Sequence, residues 1–177
     1  LMQRTASFLH PLNAIDFSRT CRAVHNSLAL ASLNPPLPLI VGTKTFVGDY
    51  ATGDKDVPWI RLPIPLHRRV HSVTLSLQWR DQGWGNRKGQ IRIVGRRTTQ
   101  PVDLNHPFHG GKIVSTSPIA GHELTNCKLT FVPREDHVYH AFYRVGGGGG
   151  HQLHLESVTL GWMTFAELVH PEQQGKN

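Results

Sequence analysis

The sequence predicts a mainly β chain with an N-terminal helical segment, the body being an antiparallel β-sandwich. Three observations carry that prediction. Apolar and polar residues alternate strictly over residues 72–79, and the same period of two returns near residues 91, 129, 139 and 153. No helical period follows residue 33. Several short strands joined by loops, without helices between them, bury their apolar faces by closing sheet on sheet.

Residues 1–33 read as three short helices. Apolar side chains fall at Leu1, Met2, Phe8, Leu9, Leu12, Ile15, Phe17, Cys21, Val24, Leu28 and Leu30. From Leu12 onward the spacing is mostly three or four, which lays them along one helical stripe. Pro11 and Asn13 interrupt the pattern after Phe8-Leu9, because Pro costs a helix one hydrogen bond. Ser18 is placed to cap the next segment, with Arg19 and Arg22 on its polar side. Pro35, Pro36 and Pro38 close the helical region. Helices this short do not make a domain alone. They are expected as a docking surface or, alternatively, as a hairpin packed on the chain's own domain.

Residues 34–58 are rich in Pro, Gly, Asp and Thr and read as a linker with a short strand. Leu39-Ile40-Val41 and Thr45-Phe46-Val47 are the candidate pieces, followed by the turn-prone pairs Gly48-Asp49 and Gly53-Asp54. The sandwich is expected over residues 59–170. Val73, Leu75, Leu77 and Trp79 share one face of its best strand, and Ser72, Thr74, Ser76 and Gln78 share the other. Ile91 with Ile93 and Leu129 with Phe131 repeat the pattern. Tyr139, Ala141, Tyr143 and Val145 alternate with His140, Phe142 and Arg144. Residues 152–165 begin with Leu153 and Leu155 inward and switch phase to Val158, Leu160 and Trp162, which calls for a bulge near Glu156-Ser157. Residues 171–177 read as a disordered tail. A jelly-roll or galactose-binding-like topology is the expected form of the sandwich.

The run ASFLHPLNAIDFSRTCRAVHNSL resembles the F-box, the adaptor-binding motif of SCF-type cullin–RING ubiquitin ligases. The likeness lies in Phe8-Leu9, the His10-Pro11 turn, then Leu12, Ile15, Phe17 and Ser18 to Arg22, and it covers about a fifth of the chain. The Leu-Pro pair that usually opens the motif is absent, so the chain reads as beginning inside it. The resemblance implies that Phe8, Leu9, Pro11, Leu12, Ile15, Phe17 and Cys21 dock a Skp-type adaptor on a cullin scaffold. The sandwich would then hold an unknown target protein or glycoprotein. Such a protein works by raising effective concentration and performs no chemistry itself.

Composition narrows the classes. The 177 residues suffice for one compact domain of about 130 residues plus the helical segment. No stretch approaches the ~20 apolar residues of a membrane span, and no signal-peptide pattern opens the chain. Two cysteines, Cys21 and Cys127, rule out a disulfide framework and read as buried thiols of a reducing compartment, cytoplasmic or nuclear. The net charge is +7, from 19 Lys+Arg against 12 Asp+Glu. The basic residues are dispersed and no nucleic-acid module accompanies them, so a nucleic-acid partner is disfavoured and solvated surface charge is the favoured reading.

Candidate ligand contacts cluster in Arg80-Asp81-Gln82-Gly83-Trp84-Gly85-Asn86-Arg87-Lys88-Gly89, between two strands. Arg80, Asp81, Gln82, Trp84, Asn86, Arg87 and Lys88 are the residues chosen for target or ligand binding. Trp84 between two glycines either plugs the sandwich or stands out as a stacking platform. A platform beside Asp, Asn, Gln and Arg suits a sugar, whose C–H faces stack while its hydroxyls need polar partners. The same group suits a protein hot spot. DQGWGNRKG also resembles a loop of β-sandwich domains that follow F-box or ankyrin regions. A glycan- or ligand-binding module with a structural helical cap and no ubiquitin role is therefore the alternative function.

The run Gly146–Gly150 lacks the Gly-Lys-Ser/Thr and the helix of a phosphate loop and reads as a hairpin tip. Twelve histidines raise a metal reading. His137/His140 and His151/His154 lie three apart on strands and point to opposite faces. His106/His109 sit in a loop and are the one pair able to converge, without the further ligands a metal site needs. Ser115, Ser117 and Ser157 lack a nucleophile context. No cofactor, no metal and no catalysis are expected.

Overall fold

The computed structural model describes residues 37–40, 42–50, 54–65, 70–146 and 150–164. The helices expected over residues 1–33, with Phe8, Leu9, Pro11, Leu12, Ile15, Phe17 and Cys21, lie outside the described residues, as does the tail 171–177. The strands are β1 (Leu37–Ile40), β2 (Lys44–Val47), β3 (Val57–Arg61), β4 (Val70–Asp81), β5 (Gln90–Arg97), β6 (Lys112–Thr116), β7 (Thr125–Phe131), β8 (His137–Arg144) and β9 (Gln152–Thr164). They form two antiparallel sheets. The first has the order β1-β9-β4-β7, with β2 also paired to β9; the second has the order β3-β8-β5-β6.

The alternation in β4 does what the sequence predicts. Val73, Leu75, Leu77 and Trp79 are each at most 2% exposed. Leu75 pairs with Leu129 on one side and Leu160 on the other, and Leu77 with Cys127 and Val158. The second sheet meets this layer with Ile91, Ile93, Tyr139 and Ala141. Each large aliphatic side chain buried here contributes about 1.5–3 kcal/mol. Cys127 is a free thiol in the same layer, and burial pushes its pKa up.

The bulge in β9 lies where the phase switch requires it. Gln78 faces Ser157 and Trp79 faces Leu155, which leaves Glu156 as the extra residue. Leu153 and Leu155 before it, and Val158 and Leu160 after it, can then all point inward, each 0% exposed.

Within the span 34–58, read from the sequence as a linker with a short strand, the described residues form β1, β2 and the start of β3, all paired into the sandwich. Leu37 pairs with Leu160 and Phe46 with Leu153, so β1 and β2 extend one side of β9, and β3 starts at Val57. Phe46 carries the burial of this segment, stacked at 4.0 Å on Tyr143 and edge-on at 5.3 Å to Trp59. β1 and β2 have four residues each, and β2 has one buried side chain, too little for an alternation to be read. On the outer face of the second sheet, Phe142 is covered by the β5–β6 loop, with Phe108 at 5.6 Å and His109 at 5.7 Å.

Candidate functional site

Four loops meet at one end of the sandwich: β2–β3, β4–β5, β6–β7 and β8–β9. Backbone bonds tie them together. Gly48 donates to the His151 carbonyl at 2.7 Å, Asp81 to Gly121 at 2.7 Å, Gln82 to Gln152 at 2.9 Å and Ala120 to Gly89 at 2.8 Å. The first tie needs glycine, because a Cβ at Gly48 would lie 2.6 Å from the Gly146 carbonyl oxygen.

The base of the β4–β5 loop is fixed by two side chains. Asp81 is 0% exposed, and its carboxylate accepts the amides of Gln82 at 2.7 Å, Lys88 at 2.7 Å and Gly89 at 2.8 Å. Three charge-assisted bonds offset the cost of burying the carboxylate. Gln82 spans to β9, its side-chain oxygen accepting the Gln152 amide at 2.7 Å. Its side-chain nitrogen therefore donates to His151 Nδ1 at 2.8 Å, which places the His151 proton on Nε2. His122 Nδ1 donates to the Gln82 carbonyl at 2.5 Å. Asp81 and Gln82, chosen from the sequence as contact groups, are thus buried supports of the loop.

Above this base the tip faces solvent. Trp84 is 65% exposed. Its ring edge passes over Gly150, where an added Cβ would sit 3.8 Å away. Gly85 takes φ +74, a left-handed turn that lets the loop reverse behind the indole. Asn86 and Arg87 are exposed beside it. Lys88 turns under Gly146, with its ammonium 3.7 Å from Asp54. Arg80 belongs elsewhere: it is exposed on the outer face of the first sheet, opposite His154. Of the seven residues chosen, the structure groups Trp84, Asn86 and Arg87 at the tip.

Tyr50, 86% exposed in the β2–β3 loop at this same end, escaped the sequence reading. Its signal is an aromatic directly after the turn pair Gly48-Asp49, with no alternating partner. Among the described residues, Trp84 and Tyr50 are the exposed aromatics. The outer face of the first sheet presents the polar side chains Ser72, Thr74, Ser76, Gln78, Asn126, Lys128 and Thr130. Below the tip, Asp54 lies 3.7 Å from both Lys88 and Arg144. Asp56 lies 2.6 Å from Arg92; burial raises its carboxyl pKa, and Arg92 and Arg144 oppose that rise.

Among the described residues no cluster of three or more His, Cys, Asp or Glu side chains is arranged to hold a metal ion. The His106/His109 pair is used by its own loop. His106 Nδ1 accepts the Phe108 amide at 3.0 Å, and the His109 ring packs edge-on to Phe142.

No family model and no curated protein matches the sequence. Among solved structures the chain is similar to the CBM22-1–GH10 modules of the Clostridium thermocellum endo-1,4-β-D-xylanase 10B, complexed with xylohexaose. The TM-score is 0.36 and the identity 9%, over 75% of this chain and 27% of that one. A likeness of this size carries nothing about ligands. The geometry above defines the chain as a mainly β protein of two packed antiparallel sheets.

Proposed function

We propose that the chain is a ligand-recognition module that holds a sugar at the loop end of its sandwich, with Trp84 as the stacking platform. The observation that carries this reading is the 65% exposure of Trp84 on a loop whose base is locked by the fully buried Asp81. An aromatic held outward before the ligand arrives loses little freedom on binding. At the same end stand groups suited to hydroxyls: Asn86, Arg87, the Nε2–H of His151 and, on the β2–β3 loop, the phenol of Tyr50. Counting β1 and β2 as one interrupted strand gives eight strands in two antiparallel sheets, which supports a jelly-roll reading of the sandwich.

The test is capture of the purified chain on arrayed oligosaccharides, followed by calorimetric titration of the best ligand. Trp84→Ala should weaken binding by about tenfold or more, a stacking contribution of roughly 1–3 kcal/mol. Stability should change by less than about 0.5 kcal/mol, since the side chain is outside the core. A variant that binds its sugar as the wild type does, or a chain that captures none, refutes the reading.

The F-box-like sequence of residues 1–33 supports a second proposal on its own: attachment of this module to a Skp-type adaptor and cullin scaffold in the cytoplasm or nucleus. Co-purification with a recombinant adaptor, lost in Leu12→Asp and Phe17→Asp variants, is the expected result. Equal recovery of the variants would sink it.

A further inference from the structure

We propose that the outer face of the second sheet carries a separate anion site, built by Arg61, Arg96, His109 and His140, for a tetrahedral oxyanion such as the head of a phosphate or sulfate ester. Strand register brings the groups together. Arg61 on β3 is directly opposite His140 on β8. His140 faces Val94 on β5, and Arg96 lies two residues along, opposite Val138. Directly opposed Cβ atoms are about 5 Å apart and diagonal ones about 7–8 Å, within reach of an arginine side chain. His109 comes from the loop covering this face. Its ring packs 5.7 Å from Phe142, which shares a face with His140 one pleat away. His109 adopts φ +53, a conformation that a non-glycine residue takes at a cost of about 1–2 kcal/mol. Its amide is bonded to the His106 carbonyl at 2.9 Å.

The pairing of charges sets this corner apart. Arg92, Arg97 and Arg144 each have an aspartate within 4 Å, at 2.6, 3.7 and 3.7 Å. Among the described residues no carboxylate lies within ion-pair distance of Arg61 or Arg96. Arg96 instead donates to the carbonyls of Arg97 and Gln100, which anchors its guanidinium without neutralising it. Asp136, at the start of β8, is taken by His137 at 2.6 Å and Arg97 at 3.7 Å. The groups acting on His140 are thus Arg61 from β3, Arg96 from β5 and His109 from the loop, all basic. Burial, followed by these three, depresses the His140 pKa below 6.5. A patch of positive potential on a half-buried floor concentrates anions. Two arginine forks match the oxygens of a tetrahedral ester, and an imidazole adds a donor when it takes a proton.

This site lies towards the opposite end of the strands from Trp84 and stands independently of the sugar reading. The test is a two-dimensional NMR titration of the histidine rings in the full chain, with sulfate replacing chloride at constant ionic strength. Sulfate keeps its double charge across the pH range, so only the protein titrates. Saturable shifts at His140 and His109 are expected, with the His140 pKa moving upward as sulfate binds. Arg61→Gln and Arg96→Gln should each weaken binding by about tenfold, while Trp84→Ala and Lys128→Gln should leave it unchanged. Arg61→Lys and Arg96→Lys, which keep the charge and lose the fork, should fall between, and they stand in for any glutamine variant that fails to fold. Phosphoserine and a sulfated disaccharide, titrated in parallel, distinguish the two esters. Non-saturating shifts overturn the proposal, as do equal affinities in the Arg61 or Arg96 variants and the wild type.

Discussion

Replacing Asp81 by alanine removes the one acceptor that serves the amides of Lys88 and Gly89. The Gln82 amide is less affected, because it also donates to the Gln152 carbonyl at 2.9 Å. A buried amide left without an acceptor costs about 1–3 kcal/mol. Gly89 is buried and bears that cost in full, whereas water reaches the half-buried Lys88 and repairs part of its loss. The sum is about 3 kcal/mol, or roughly 6–12 °C in melting temperature for a domain of this size. Asp81→Asn keeps one acceptor oxygen and turns a donor towards a donor, so about half of that loss is expected. Urea unfolding followed by tryptophan fluorescence gives the magnitude, and amide exchange at Lys88 and Gly89 gives the location. An alanine variant within about 0.5 kcal/mol of the wild type, with both amides still protected, would refute the claim that this carboxylate holds the loop.

Other perturbations test the layers around it. Leu75→Ala, at a fully buried position between Leu129 and Leu160, should lower stability by about 2–5 kcal/mol in the same urea assay. Gly48→Ala forces the β2–β3 and β8–β9 loops apart, since its methyl group would meet the Gly146 carbonyl at 2.6 Å; about 1–3 kcal/mol is expected, with faster exchange of the residue 48 amide. His140 is held below its ordinary pKa of 6.5, so the folded state binds its proton less well than the unfolded chain. Its contribution is complete above pH 6.5 and lost as pH falls through the folded value, so His140→Gln should flatten stability against pH in that window.

How much of this the sequence reveals depends on how each strand is wetted. β4 is dry on one face and wet on the other, so its alternation is complete from Val73 to Trp79. The β9 bulge is legible for the same reason, since an inward face that changes parity forces an extra residue at Glu156. β6 leaves no such trace: Lys112–Thr116 is exposed along nearly its whole length, and Ile113 and Val114 are both exposed at the sheet edge. β3 hides behind Pro58 and an irregular register next to it. The β4–β5 loop is legible as a glycine-rich connection between two strands, though not in its division of labour. Asp, Gln and Trp in one glycine-rich run have equal claims to a ligand until burial assigns Asp81 and Gln82 to the scaffold and Trp84 to the surface. The Arg61–His140–Arg96 grouping depends on strands far apart in the chain, which no local pattern records.

The central place of β9 has a consequence for how the protein is made. β1 and β2 lean on β9 from one side and β4 from the other, yet among the strands of the described residues β9 is made after all the rest. Leu37 leaves the ribosome long before its partner Leu160 exists, and Phe46 waits likewise for Leu153. The second sheet, β3-β8-β5-β6, has all its strands in hand earlier. Assembly is therefore staged, with the backbone edge of β4 that pairs with β9 left open until residues 152–164 are made. Pairings this distant along the chain close slowly. A nascent chain halted before residue 152 would present that open edge to chaperones, and release of β9 would act as the closing step.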